Sequence, residues 1–287
     1  MFSPLIVIYL FLAGAGCGAF VAAVYLSWRA RTVPGLAKPL GRIALPALVA
    51  SCGMVAVGAT CLLLDLGRPE LALEVLLNPA GSVLSVGAWA LVAFVVAAVL
   101  LIACNTKALR LGRGAVLAVK TAGCASAVVV MVYSGLFLST IWTLPFLGSP
   151  LVPMLFVCSS LSCGGGVLLI LPLVCDAPSG VLFRAVARVD AVLLVLEALA
   201  LTALLLLAMT DPLSSAAAAR LVTGDLAPVF WSALAVAGLA APFVLELAFY
   251  HADARTSACI GILLLLGGFF LRYCLCVAPF MELISYL

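Results

Sequence analysis

The residues of this sequence that could do chemistry are few, and most of them interrupt apolar runs. Leu63-Leu64-Asp65-Leu66-Gly67-Arg68-Pro69-Glu70 ends a long hydrophobic stretch in an acid, a glycine, an arginine and a proline. A carboxylate at the last turn of a membrane-spanning segment is costly to leave unpaired in hydrocarbon, so it is rare and tends to be functional. Gly67 lets the backbone turn, Pro69 stops a helix, and Arg68 offers a counter-charge three residues on. The plainer reading of the same stretch is a loop boundary with a snorkelling arginine. Tyr9, Ser85, Trp89, Tyr133 and Arg272 are further polar groups set in or beside apolar runs. Glu197 and Glu246 also lie inside such runs, where a carboxyl must be protonated, paired or hydrated. The two read either as parts of a proton path or as neutral hydrogen-bonded groups between helices.

These residues need elements to position them, and the composition says which kind. The 287 residues are 67% hydrophobic and 9% charged, with a mean hydropathy of +1.39. A soluble domain carries about 25% charged residues, so the chain is an integral membrane protein. Its net charge of +3 points to no nucleic acid. The eleven cysteines are scattered through apolar runs without a C-x-x-C. They read as small core hydrophobes, so no iron–sulfur or zinc site is expected here. The single histidine, His251, cannot supply the two axial ligands of a bis-histidine haem, so no haem is expected either.

Apolar stretches of membrane length recur between charged or Pro/Gly breaks. They predict eight helices at 4–28, 41–64, 84–104, 115–138, 151–174, 189–209, 227–249 and 257–277. A four-plus-four division is possible, 1–145 with the candidate site and 146–287; two four-helix bundles are what the family resemblance described below implies. Eleven of the fourteen Lys and Arg fall in the first, third, fifth and seventh loops, Arg184 and Arg188 among them in the fifth. By the positive-inside rule those loops are cytoplasmic and both termini are extracytoplasmic. At 1.5 Å per residue, Tyr133 lies about 27 Å along an outward-running helix and Arg272 about 22 Å along another. Tyr9, Asp65, Arg68, Ser85 and Trp89 then share the outer leaflet with them. A quinone ring at that level offers two oxygens that are hydroxyls in the quinol. Oxidising the quinol needs a hydrogen-bond partner at each end and a proton acceptor, roles that a tyrosine hydroxyl and a carboxylate beside an arginine fit. The same groups could bind the head of another amphipathic ligand, so this chemistry alone leaves the ligand open.

Several segments together resemble a known family. They are Tyr9-Leu10-Phe11-Leu12-Ala13-Gly14, the stretch around Asp65, Ser85-Val86-Gly87-Ala88-Trp89, Tyr133-Ser134-Gly135-Leu136-Phe137-Leu138-Ser139, Pro145–Pro153 and Gly267-Gly268-Phe269-Phe270-Leu271-Arg272-Tyr273. In that order they are similar to the NrfD-type, or polysulfide reductase, membrane subunits. The resemblance implies an all-α, eight-helix anchor in the bacterial cytoplasmic membrane that oxidises menaquinol or ubiquinol without haem. It implies an extracytoplasmic ferredoxin-like subunit with four iron–sulfur clusters and a molybdopterin catalytic subunit as partners. Tyr133 matches the family's quinone-contacting tyrosine and Asp65 the position beside the ring; both are the expected catalytic residues. Tyr9 falls where some members have histidine, and Arg68, Trp89, Ser134 and Arg272 complete the expected quinone contacts. Two other functions fit the composition. Glu197 and Glu246 at membrane depth suit a proton-coupled transporter, and the same helices suit a structural anchor without a working quinone site.

Overall fold

The computed structural model describes residues 3–65, 83–139, 145–211, 214–249 and 252–279, and among these every regular element is helical. Eight helices among the described residues are long and apolar enough to cross a bilayer: α1 Pro4–Arg29, α2 Ala37–Asp65, α3 Val83–Asn105, α4 Arg113–Ser139, α5 Leu151–Val174, α6 Gly180–Thr210, α7 Ala227–Ala248 and α8 Ala254–Val277. Helices satisfy their own backbone groups, which is what a water-free bilayer core demands of any segment crossing it. The end holding Pro4, Asp65, Ser139 and Val277 is called upper below, and the end holding Arg29, Arg113, Gly180 and Ala254 lower.

All eight expected spans are present, and seven agree with their helices to within four residues at each end. The exception is α6, which starts nine residues before the expected Val189. Arg184 and Arg188 therefore lie on a helix and not in the fifth loop. The physical reason is an amphipathic lead-in. Leu182, Phe183, Val186, Ala187 and Asp190 form one buried stripe, while Arg184 is half-buried and Arg188 exposed.

Three helices form the interior. More than half of the apolar window of α1, α5 and α8 is buried, whereas α2, α3, α4, α6 and α7 present most of theirs outward. Small residues let the inner three approach. A Cβ on Gly18 would collide with the Ser160 carbonyl, one on Gly164 with the backbone of Gly18, and one on Gly166 would stand 2.8 Å from the Gly261 carbonyl. Close backbone approach of this kind is how membrane helices gain packing energy without a hydrophobic drive between them.

The helix α7 is irregular. Its middle, Phe230–Ala240, is wound as a π-helix between Pro228 and Pro242. Pro242 has no N–H for the carbonyl four residues earlier, so the ladder changes register before it resumes as α-helix. At the lower end, Arg42 Nη1 donates to the Asp176 carbonyl at 2.7 Å and Ser179 Oγ to the Ala252 carbonyl at 2.8 Å, tying the loops together. Asp253 caps α8 by accepting from the Thr256 N–H at 3.3 Å and from the Thr256 hydroxyl. Those bonds hold its carboxyl below the ordinary range. At the upper end, Arg220 Nε and Nη2 donate to the two Asp225 oxygens at 3.0 and 2.6 Å.

Candidate functional site

Tyr9 lies five residues into α1, Tyr133 six residues before the end of α4, and Arg272 five before the end of α8. All three are therefore about 8–9 Å below the upper helix ends. The agreement in depth expected from the sequence holds for these residues within the fold.

Arg272 is fully buried, and each of its three nitrogens donates. Its Nε donates to the Leu10 carbonyl at 3.1 Å, Nη1 to the Gly268 carbonyl at 2.7 Å and the Ser159 hydroxyl at 3.2 Å, and Nη2 to the Ser160 hydroxyl at 2.7 Å. Its guanidinium carbon also stands 5.2 Å from the Phe156 ring centre and 6.0 Å from that of Phe11. One cation so joins α1, α5 and α8. Gly14 makes the room: a Cβ there would come within 2.5 Å of Ser160 Oγ and 2.7 Å of Arg272 Nη2.

Tyr133 is buried, with its ring laid across Gly87 of α3, where a Cβ would strike the ring carbons, and tilted against Phe137 at 6.1 Å. Tyr9 is likewise buried and near enough to Tyr133 for the two side chains to interact electrostatically. The two phenols, one from α1 and one from α4, thus stand within electrostatic reach of each other. Asp65 is the half-buried last residue of α2. It lies two turns beyond Gly58, which packs on Tyr9–Ala13 of α1, so both face α1. The arginine expected to pair with it, Arg68, lies outside the described residues, as do Gly67, Pro69, Glu70 and His251.

Two expected contacts sit apart from this group. Trp89 is half exposed on the outer side of α3, because it follows Gly87 by two positions, about 200° round the helix. Ser134 is buried but donates to the Met131 carbonyl of its own helix at 2.7 Å. An apolar groove of about 430 Å³ runs between α1 and α8 at the upper end, lined by Val7, Ile8, Phe269, Tyr273 and Val277 and by neither Tyr9 nor Tyr133. A larger one, about 590 Å³, separates α6 from the π-wound part of α7.

The acids in the membrane interior form a second group. Glu197 is buried beside Ser159 and interacts with both Arg272 and Asp190. Glu246 is buried against Asp190. Asp190 was not singled out from the sequence, although it precedes Glu197 by seven residues and so shares its helix face. Ser159, Ser160 and Ser162 were also passed over; their clustering beside Gly164-Gly165-Gly166 was the available signal of a polar helix contact. Among the described residues no group of three His, Cys, Asp or Glu is placed to hold a metal ion.

Comparison with known proteins gives two findings. The family model described as "Polysulphide reductase, NrfD" matches residues 1–283. The C subunit of the polysulfide reductase of Wolinella succinogenes is 30% identical over 291 aligned positions, covering 93% of the present sequence and 90% of that protein.

Proposed function

This chain belongs to the NrfD, or polysulfide reductase, family of membrane subunits, and from that premise we propose that it oxidises a quinol at its upper end. It is a multi-pass membrane subunit of an oxidoreductase complex. In the proposed reaction menaquinol or ubiquinol gives up two electrons and two protons. The electrons pass to a ferredoxin-like subunit with four iron–sulfur clusters on the extracytoplasmic face and then to a molybdopterin catalytic subunit. The upper end is then extracytoplasmic and the membrane the bacterial cytoplasmic one.

The observation that carries the reading is the meeting of Tyr9 and Tyr133, two buried hydroxyls from separate helices, at the level of Arg272. A quinol is a flat ring with an oxygen at each end, and phenols at one depth, flanked by apolar walls, can accept and donate to such oxygens. The groove between α1 and α8 suits the isoprenoid tail. Asp65, at the rim and half-buried, is the group to take the released proton to water. Tyr133 holds the ring by its hydroxyl, and Tyr9 completes the contact. Arg272 acts one step back, by fixing α1, α5 and α8 around the site, since four of its five N–H groups are taken there. Arg68, Trp89 and Ser134 remain proposals as contacts of the ring or its tail.

The test is quinol-dependent reduction by the complex carrying Asp65→Asn or Tyr133→Phe. Loss of turnover in an assembled complex is the expected result. Unchanged turnover in both variants would leave a structural anchor as the better account.

A further inference from the structure

Three arginines of the lower end, Arg29 of α1 with Arg184 and Arg188 of α6, line one hollow of about 260 Å³, together with Val33 and Pro34 of the loop after α1. Arg29 and Arg188 are exposed and Arg184 is half-buried. Snorkelling accounts for a cation at a helix end, but it would spread such cations round the rim of the molecule. Here they converge. Among the described residues no acid lines the hollow, and neither Arg29 nor Arg188 pairs with a carboxylate. Like charges gathered in one place repel one another unless an anion joins them.

The hollow does not end at the charges. Through Tyr25, Ala185 and Val189 it continues into a cleft of about 270 Å³ between α1 and α6. Val21 and Ala22 form one wall, Leu193 the other, and Leu161 and Gly165 of α5 the floor. Gly165 keeps that floor low, since a Cβ there would stand 3.1 Å from Val186 Cγ1. Asp190 borders the cleft and is itself buried. From Val181 to Leu193, α6 rises about 18 Å, comparable with one leaflet of bilayer hydrocarbon.

A cationic mouth on an apolar slot of leaflet length matches an amphiphile with an anionic head and acyl tails. We propose that this is a binding site for an anionic phospholipid, its phosphate among Arg29, Arg184 and Arg188 and one acyl chain laid between α1 and α6. Arginine suits the head, because its planar fork can give a phosphate two parallel hydrogen bonds. Exposed Tyr25, shared by hollow and cleft, stands where head meets tail, the level at which aromatic side chains gather in membranes. Both α1 and α6 pack on α5, so the lipid splints the two across it. The site lies at the opposite end from the tyrosines and does not rest on the quinol reading.

Native mass spectrometry of the full chain, stripped of lipid and titrated with phosphatidylglycerol or with phosphatidylcholine of identical chains, tests this. Phosphatidylglycerol is expected to bind, and phosphatidylcholine to bind several-fold more weakly. Each arginine beside an anionic head is worth roughly fivefold in affinity, so Arg29→Gln combined with Arg188→Gln should weaken phosphatidylglycerol binding by about twenty-five-fold. Both positions are exposed, so the fold is not at stake. Arg188→Lys, which keeps the charge, should retain most of the affinity. Ala22→Phe should weaken binding by filling the slot while leaving the arginines in place. Glycerol phosphate, a head without tails, should not displace the lipid. Equal binding of the two lipids, or undiminished phosphatidylglycerol binding in the double variant or in Ala22→Phe, overturns the proposal. Displacement by glycerol phosphate also overturns it, and identifies a soluble anion as the occupant.

Discussion

Arg272 and the Asp190–Glu246 pair are both charges of the membrane interior, and their surroundings are opposite. Every nitrogen of Arg272 donates, and two aromatic rings flank it. Among the described residues the two acids have no hydrogen-bond partner of good geometry, Ser162 being the polar neighbour of Asp190, and Asp190 lines a cleft. A buried charge that is completely partnered behaves as a fastener, because changing it strands its neighbours. One that is left unpartnered adds nothing to the fold, and its persistence calls for a use. The contrast teaches that depth in the membrane does not distinguish structure from function. The partner count does.

Four perturbations sharpen that contrast. The largest effect belongs to Arg272→Leu, which empties the junction of three helices and removes the donor shared by the Leu10 carbonyl and the Ser159 and Ser160 hydroxyls. We expect a loss of about 3 kcal/mol or more, read as a lower Tm and poorer yield in detergent. Arg272→Lys should fall between, since an ammonium cannot reproduce the guanidinium fork. Next comes Gly18→Val at the α1–α5 contact, where overpacking should cost about 1–3 kcal/mol. Its control is Gly53→Ala. A Cβ at Gly53 meets nothing within 4 Å, so the change should gain up to about 1 kcal/mol from helix propensity.

Asp190→Asn should do the reverse of Arg272→Leu, leaving Tm unchanged or raising it. Among the described residues no hydrogen bond of good geometry reaches the Asp190 oxygens, and the change relieves an uncompensated acid pair. A fall in Tm as large as that of the arginine variant would erase the distinction between the two regions.

The smallest effect concerns Arg220 and Asp225, at the surface between α6 and α7. Hydrogen bonds from Arg220 hold the Asp225 carboxyl below the usual carboxylate range. A depressed folded value means that the stabilisation is present above the ordinary aspartate pKa near 4 and lost as pH falls below it. Asp225→Asn should therefore lower Tm slightly at neutral pH, with the difference vanishing in acid and shrinking in high salt. A difference that grew on acidification would contradict the pairing.

Much of this arrangement is legible in the residues themselves. Apolar run length gave seven helices nearly to their ends, because membrane thickness dictates it. Hydropathy failed at α6, where two arginines on the polar side of an amphipathic turn mimic a loop. It was equally blind to the π-winding of α7, which depends on the lost N–H of Pro242 and the crossing of Gly238 with Gly267. At the site, counting residues along helices brought Tyr9, Tyr133 and Arg272 to one level, since helical rise is nearly constant. Which way each side chain points was harder. The rotation from Gly87 to Trp89 turns the tryptophan outward, and only the neighbours of α3 decide which of the two faces Tyr133. Asp190 was missed for a different reason: it lies where hydropathy placed the edge of a span, and its partner is on another helix.

The central claim is tested most directly by photoaffinity labelling of the complex with an azidoquinone, followed by peptide mapping. Adducts on the peptides bearing Tyr9 and Tyr133, displaced by excess quinol, are the predicted result. Adducts confined to the groove between α6 and α7, with the two tyrosines unmarked, would contradict the account.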